Sequence, residues 1–182
     1  SKIVSQNERV KLAELIKKNS VNYKIAVTYP NEIDNALTTG TNLNTLEAIN
    51  TAQIINFLNK KKEKIKVIVD CPSVNTNAWK NVLLKFIEYK ENLTIICEHK
   101  ADVNHVSAAA GSILAKVVRE EEVAKIRAKF GNIGSGYPAD PNTQEFLKKR
   151  GKELRDSGIF RKTWSTWKKL FPEGKQSTLE GF

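Results

Sequence analysis

Two aspartates, Asp70 and Asp102, follow apolar segments of the kind that form buried strands. Asp70 ends the run at 65–70, and Asp102 lies shortly after the run at 93–97. Open α/β sheets collect their ligands at the carboxyl ends of their strands. If these two strands are neighbours, both carboxylates can approach one point and bind a hard divalent cation such as Mg²⁺. A pair of such ions promotes in-line hydrolysis of a phosphodiester.

Each aspartate also has a simpler interpretation, because acidic residues often cap the first turn of a helix. Asp70 could cap the segment that begins at Pro72, and Asp102 could cap the helix start that follows it. His99 and Lys100 could orient a phosphate, or they could be solvated charges at a strand end. The two aspartates together with the neighbouring motifs favour the metal site.

Two later segments carry residues suited to contact with nucleic acid. The run Gly-Ser-Gly-Tyr-Pro at 134–138 predicts a rigid loop that presents the Tyr137 hydroxyl, which could stack on a sugar or base. Tyr137 could equally pack beneath the next helix. Residues 161–169 mix basic and aromatic side chains, which suits a nucleic-acid backbone but also suits a small satellite core with a charged rim.

The composition limits the class of protein. The chain has 182 residues, with 30 Lys and Arg against 20 Asp and Glu, so its net charge of +10 favours a polyanionic partner or a Lys-rich solvated surface. No apolar run reaches the roughly 20 residues of a membrane span, and no signal peptide is evident, so we expect a soluble cytoplasmic protein. Cys71 and Cys97 lack the spacing of a zinc site and are expected to be reduced.

The pattern of apolar and capping residues predicts alternating helices and strands. The predicted helices cover residues 5–19, 43–59, 75–89, 106–130 and 141–156, with a short helix around Trp164 and Trp167. The predicted strands cover 23–29, 65–70 and 93–97, with a turn or single helical turn at 31–34. Strands separated by helices predict a parallel sheet with right-handed crossovers, which is an α/β fold. Three strands are few for so many helices, so we expect additional strands beside them.

Three sequence motifs follow one another along the chain. They are Glu-His-Lys-Ala-Asp at 98–102, Val-Ser-Ala-Ala-Ala-Gly-Ser-Ile-Leu-Ala-Lys-Val at 106–117, and Gly-Ser-Gly-Tyr-Pro-Ala-Asp-Pro at 134–141. Together they closely resemble the ribonuclease HII family, especially its archaeal members, with weaker support at 46–48 and 69–72. The resemblance implies a ribonuclease-H-like three-layer fold with a C-terminal helical extension. It implies a catalytic core at 1–130, and a helical substrate-binding region with a tail at 131–182.

The resemblance also implies an activity. Enzymes of this family hydrolyse the RNA strand of RNA–DNA hybrids and cut 5′ of ribonucleotides embedded in duplex DNA, in replication and repair, with two Mg²⁺ or Mn²⁺ ions. Asp70 and Asp102 match the third and fourth of the four family carboxylates. Tyr137 matches the tyrosine that contacts the sugar at the RNA-to-DNA junction, next to the 2′-hydroxyl.

Further substrate contacts are implied around these positions. Lys2 matches the lysine of the family's Asp-Ser-Lys motif, which lies near the nucleic-acid backbone. Lys100 beside Asp102, and Ser135 and Gly136 beside Tyr137, are the remaining candidates.

The chain departs from the family at one decisive point. The opening Asp-Glu-Ala-Gly-Arg-Gly segment of the family, with its first two carboxylates, has no match in this sequence. We expect that segment to have been removed, supplied as a separate polypeptide or omitted, and with it the first strands of the sheet. The isolated chain is therefore expected to fold poorly and to have little nuclease activity.

The last seven residues fit the spacing Gln-x-x-Leu-x-x-Phe of tails that bind DNA sliding clamps, with Gln176, Leu179 and Phe182 as the contacts. The tail could instead pack on its own domain. For the whole chain, a non-catalytic nucleic-acid-binding subunit with a ribonuclease-H-like fold is the alternative function. A third alternative is another nuclease of that fold, such as a DNA resolvase, which would not prefer a 2′-hydroxyl.

Overall fold

The computed structural model describes residues 4–61 and 63–172, and these residues fall into two units. The described part of the first unit comprises residues 4–27 and 41–122, and that of the second comprises 28–40 and 123–172. The division predicted at residue 130 stays a prediction. No helix among the described residues is both long and apolar enough to cross a membrane.

The described elements are, in chain order, α1 (Gln6–Asn19), α2 (Pro30–Thr38), α3 (Leu43–Leu58), β1 (Ile65–Asp70), α4 (Thr76–Phe86), β2 (Leu93–Glu98), α5 (Ala101–Asn104), α6 (Val106–Phe130), α7 (Pro141–Arg150) and α8 (Ser165–Leu170). β1 and β2 pair in parallel, from Ile65 opposite Leu93 to Asp70 opposite Glu98. The predicted α/β class and the predicted parallel pairing across α4 are confirmed.

The core of the first unit lies where α3 and α4 pack with the sheet. Leu83 of α4 is completely buried, and Trp79 on the same helix is 3% exposed. The Trp79 indole Nε1 donates a hydrogen bond to the carbonyl oxygen of Asn44 at 3.1 Å, so this large ring is buried without losing its polar contact. Ala48 and Ala52 of α3 leave the space that the ring needs.

A second cluster of the first unit joins α1 to α6. Ala13 packs with Leu114 and Val117, and the Arg9 guanidinium forms an ion pair with the Glu120 carboxylate. α1 begins with the predicted capping box. The Ser5 hydroxyl accepts a hydrogen bond from the backbone N–H of Glu8, and the Glu8 carboxylate accepts one from the Ser5 N–H.

The second unit contains an aromatic stack between α7 and α8. Phe160 lies 6.3 Å from Phe146 and 5.2 Å from Trp167, and Trp167 lies 4.6 Å from Phe171, measured between ring centroids. Trp167 is only 5% exposed, so it belongs to the core of this unit and not to a nucleic-acid surface. Residues 161–169 could contact nucleic acid or form a small satellite core, and the buried Trp167 ring supports the satellite core.

The strand predicted at 23–29 is wrong, because residues 22–29 form no helix or strand in the described part of the chain. Their side chains are largely exposed, including those of Tyr23, Val27 and Tyr29. An extended segment becomes a strand only when its backbone groups pair with a neighbour. Strand pairing among the described residues is that of β1 with β2.

Three helices differ in length from the prediction by more than one residue, and one of them, α4, ends at Phe86 and not at 89. A nine-residue helix, α2, replaces the turn expected at 31–34. Pro30 occupies its first turn and the Glu32 carboxylate accepts from the Tyr29 N–H at 2.6 Å, and both features favour helix initiation. In contrast, α7 ends at Arg150 and not at 156, and the segment that follows forms turns.

Candidate active site

The Asp70 carboxylate lies at the last residue pair of the parallel sheet, directly opposite Glu98. Its Oδ1 accepts a hydrogen bond from the backbone N–H of Ala101 at 3.2 Å. Ala101 immediately precedes Asp102 and is completely buried. The fold therefore brings the strand-end carboxylate next to the short helix α5 that carries Asp102, and the convergence of the two carboxylates on one ion stays a prediction.

A sharp turn between β2 and α5 makes this contact possible. Lys100, the residue before α5, has φ = +58°, in the left-handed region that residues other than glycine rarely adopt. Its carbonyl oxygen accepts from the N–H of Val103 at 2.9 Å, and the N–H of His105 donates to the carbonyl of Ala101 at 2.8 Å. Lys100 is exposed and lies two positions before Asp102 in the chain.

Two side chains of the string at 98–102 support the surrounding backbone. The Glu98 Oε1 lies 2.9 Å from His105 Nε2 and accepts from Asn104 Nδ2 at 3.2 Å. The ring nitrogens of His99 lie 3.2 Å and 3.4 Å from the carbonyl oxygens of Cys71 and Val74. His99 thus contacts the loop that follows Asp70, and the residue as a whole is exposed.

The donor chemistry of the two aspartates fits a hard divalent cation. Asp70 is exposed and Asp102 is partly exposed, so an ion can reach the strand end from solvent. Mg²⁺ in phosphoryl-transfer sites is held by one or two carboxylates, with waters and substrate phosphates completing its octahedron. Within the described residues there is no group of three or more His, Cys, Asp or Glu that could hold a metal ion. The pair therefore fits one such ion better than a closed protein cage.

The two cysteines near this site are free thiols. Burial raises the pKa of the Cys97 thiol, and the neighbouring Cys71 thiol raises it further. A protonated, partly buried thiol is a poor nucleophile and a poor metal ligand. The reduced state expected from the sequence stays a prediction.

In the second unit, hydrogen bonds to the Asp140 carboxylate hold the loop at 134–137 in place. The Asp140 Oδ2 accepts from the Ser135 N–H at 2.5 Å and from the Thr143 hydroxyl at 3.1 Å, while its Oδ1 caps α7 by accepting from the Asn142 N–H at 3.0 Å. These bonds, the one from the Ser135 backbone first, lower the pKa of Asp140 from 3.8 to about 2. The Gly136 N–H donates to the Thr143 hydroxyl at 2.9 Å.

Gly134 makes this compact loop possible. Its φ is +67°, and a β-carbon there would lie 2.5 Å from Asp140 Oδ2 and 2.6 Å from the Thr143 backbone nitrogen. The Arg127 guanidinium donates to the Gly134 carbonyl oxygen at 2.8 Å. The Tyr137 ring is 55% exposed at this loop, so it is available to an external ligand, and its role stays a prediction.

The remaining predicted residues divide into two groups. The Arg161 guanidinium lies over the Trp164 ring at 4.4 Å, and Lys168 and Lys169 are exposed on α8. Four other predicted residues lie outside the described residues: Lys2, Gln176, Leu179 and Phe182.

Sequence reasoning missed two acidic side chains that organise these units. Glu98 supports α5, and Asp34 of α2 accepts hydrogen bonds from residues 162 and 163. The partners of Asp34 are 128 and 129 positions away, and no local pattern in a single sequence reports such a contact.

Comparison with known proteins gives a consistent result. The ribonuclease HII family model matches residues 1–167. Ribonuclease HII of Pyrococcus furiosus is 38% identical over the whole chain, which covers 80% of that relative. The structure of ribonuclease H2 from Pyrococcus horikoshii OT3 is similar, with a TM-score of 0.81 and 33% identity over 93% of this chain and 78% of that one. The structure of a PCNA:RNase HII complex from Archaeoglobus fulgidus is also similar, with a TM-score of 0.79 and 34% identity over 100% of this chain and 82% of that one. With a family model across most of its length and a fold shared with solved members, this chain belongs to the ribonuclease HII family.

Proposed function

We propose that this chain provides the metal-binding end of an endonuclease that hydrolyses the RNA strand of RNA–DNA hybrids and cuts 5′ of ribonucleotides embedded in duplex DNA. The observation that carries the proposal is the contact between Asp70 Oδ1 and the Ala101 N–H, which joins Asp70, at the end of β1, to the start of the helix that carries Asp102. Family membership and the net charge of +10 support a nucleic-acid substrate.

The chemistry is the hydrolysis of a phosphodiester. A water oxygen bonds to phosphorus as the bond from phosphorus to the 3′ oxygen breaks, which leaves a 5′-phosphate and a 3′-hydroxyl. Asp70 and Asp102 would hold Mg²⁺ or Mn²⁺, and a pair of these ions supplies Lewis acidity to the attacking and leaving oxygens. The two carboxylates would also keep negative charge for metal binding at the strand end. Lys100 would contact a neighbouring phosphate of the substrate there.

Substrate recognition is proposed for the loop of the second unit and for one residue at the start of the chain. The exposed Tyr137 ring would pack on the sugar at the RNA-to-DNA junction, where the 2′-hydroxyl distinguishes ribose from deoxyribose. Ser135 and Gly136, held by Asp140 and Thr143, would keep the backbone of that loop fixed against the substrate. Lys2 is the proposed phosphate contact from the other end of the chain.

Two carboxylates are few for two ions, so we propose that further oxygen ligands come from a segment resembling Asp-Glu-Ala-Gly-Arg-Gly that is not part of these 182 residues. The 182-residue chain alone would then cleave poorly. Adding a peptide with that segment should restore cleavage that depends on Mg²⁺ or Mn²⁺. Cleavage at the full rate by the chain alone would contradict this part of the proposal.

The test of the function uses a duplex with one embedded ribonucleotide, the complemented chain and the variant Asp70→Asn. The variant should lose cleavage while keeping its affinity for the duplex, because the amide keeps the shape but not the charge. Glu88→Gln, an exposed acidic residue after α4, is the matched control and should cleave normally. Cleavage that survives Asp70→Asn would overturn the proposal, and binding without cleavage in every variant would favour the non-catalytic subunit.

We also propose that the tail binds a DNA sliding clamp through Gln176, Leu179 and Phe182. The spacing of these residues supports it, and a similar solved structure is that of a PCNA:RNase HII complex. Deletion of 176–182 should remove clamp binding and leave hydrolysis unchanged. Clamp binding that persists after the deletion would show that the tail is not the contact. A cytoplasmic location stays a prediction.

A further inference from the structure

The short helix α5 is tied to the sheet at both of its ends. At its start, the Ala101 N–H donates to Asp70 Oδ1 at 3.2 Å. At its end, Asn104 Nδ2 donates to Glu98 Oε1 at 3.2 Å and His105 Nε2 lies 2.9 Å from the same oxygen. Asp70 and Glu98 are opposite each other in the last residue pair of the sheet, so one pair of acidic residues contacts both ends of α5.

α5 depends on these contacts because its own hydrogen bonds are few. It has four residues, far below the length at which a helix is stable by itself. Lys100 enters it with φ = +58°, which carries a conformational cost. Its side chains bury little apolar surface: Ala101 is buried, but Val103 is 74% exposed and the following Val106 is 89% exposed. Polar contacts to the sheet therefore decide where α5 lies.

From these contacts we infer that Glu98 is a positioning residue for Asp102, a role that rests on the proposed function of Asp102 as a metal ligand. Glu98 acts through Asn104 and His105, and both contacts converge on one oxygen, Oε1. Without Glu98, the end of α5 loses its attachment to β2, and the Asp102 carboxylate samples positions in which it cannot share an ion with Asp70.

Two variants separate the hydrogen bonding of the Glu98 side chain from its charge. Glu98→Gln keeps an amide oxygen that can accept from both Asn104 and His105. Glu98→Ala keeps neither contact. If Glu98 were itself a metal ligand, loss of its charge in Glu98→Gln would weaken ion binding as much as its removal does.

The first measurement is amide hydrogen exchange on the full 182-residue chain without metal. Glu98→Ala should speed exchange of the His105 amide, which donates to the Ala101 carbonyl, by about tenfold or more, because one hydrogen bond accounts for about that factor and the variant removes two contacts. The amides of β1 and β2 should keep their protection, which shows that the fold persists. Glu91→Ala, an exposed acidic residue between α4 and β2, is the control and should change neither.

The second measurement is the affinity for Mn²⁺. Glu98→Ala should weaken it by about tenfold, as loss of a residue that orients a ligand typically does. The double variant Asn104→Ala with His105→Ala should weaken it equally, and adding Glu98→Ala to that pair should cause no further loss. Glu98→Gln should stay within about threefold of the unchanged chain.

Two results would overturn the inference: unchanged His105 exchange in Glu98→Ala, or equal loss of Mn²⁺ affinity in Glu98→Gln and Glu98→Ala. Failure of the proposed function gives a different pattern, in which Asp70→Asn leaves Mn²⁺ affinity unchanged. The exchange measurement decides the attachment of α5 by Glu98 in either case, because it needs no metal.

Discussion

Asp34 is the side chain whose removal should most clearly loosen the second unit. It lies on α2, and its carboxylate accepts three hydrogen bonds from the segment that leads into α8. Oδ2 accepts from the Lys162 N–H at 2.6 Å, while Oδ1 accepts from the Thr163 N–H at 3.1 Å and from the Thr163 hydroxyl at 2.5 Å. All three contacts are partly buried, so water replaces them poorly when the carboxylate is removed.

The size of the effect follows from these three contacts. A hydrogen bond to a charged group contributes about 1.5–3 kcal/mol, and three bonds to one carboxylate add less than their sum. Asp34→Ala leaves the Lys162 and Thr163 N–H groups without this acceptor, so we expect the free energy of unfolding to fall by about 2–4 kcal/mol. Thr163→Val removes only the hydroxyl bond and should cost about 1.5 kcal/mol, the lower end of that range.

The assay is urea denaturation followed by tryptophan fluorescence. Trp164 directly follows residues 162 and 163, which Asp34 contacts, and Trp167 lies on the helix α8 that comes next. Asn35→Ala, an exposed neighbour on α2, is the matched control and should change stability by less than about 0.5 kcal/mol. The reasoning is refuted if Asp34→Ala and Asn35→Ala have the same denaturation midpoint, or if Thr163→Val costs as much as Asp34→Ala.

Three further predictions concern the core and the loop at 134–137. Leu83→Ala should lower the free energy of unfolding by about 2–5 kcal/mol, as denaturation would show, because the side chain is fully buried; a loss below about 1 kcal/mol would contradict the packing. Asp140 has a folded pKa of about 2 against an ordinary 3.8, so its stabilisation of the loop is present above about pH 4 and is lost as pH falls through 2. A carboxyl titration by NMR checks this, and a midpoint near 3.8 would disprove it. Gly134→Ala should disorder the loop, seen as faster exchange of the Ser135 amide, whereas Gly40→Ala, where a β-carbon meets nothing within 4 Å, should leave that amide protected.

Local signals in the sequence predicted the elements that depend on neighbouring residues. The capping box at Ser5 fixed the start of α1, and Asp140 followed by Pro141 fixed the start of α7. The run at 65–70 gave the bounds of β1 because its β-branched residues and its final aspartate are contiguous. In each of these cases the hydrogen-bond partners lie within a few positions, so spacing alone identifies them.

The features that the sequence did not reveal depend on distant or unusual contacts. Residues 23–29 have strand-like composition, but a strand needs a partner, and composition does not report one. α5 is preceded by a lysine, Lys100, in the left-handed region, where sequence rules expect glycine or asparagine. The contacts of Asp34 join elements that are separated by most of the chain. The contact of Glu98 with Asn104 spans only six positions, but it depends on the unusual turn at Lys100.

The proposed activity requires Asp70 and Asp102 to share one divalent cation, and Mn²⁺ titration of four chains tests this most directly. The unchanged chain, Asp70→Asn, Asp102→Asn and the double variant would be compared by calorimetry. We predict that each single variant weakens Mn²⁺ binding by about tenfold or more and that the double variant is little worse than either, because the second ligand no longer has an ion to share. Unchanged affinity in either single variant, or losses that multiply in the double variant, would contradict a shared site.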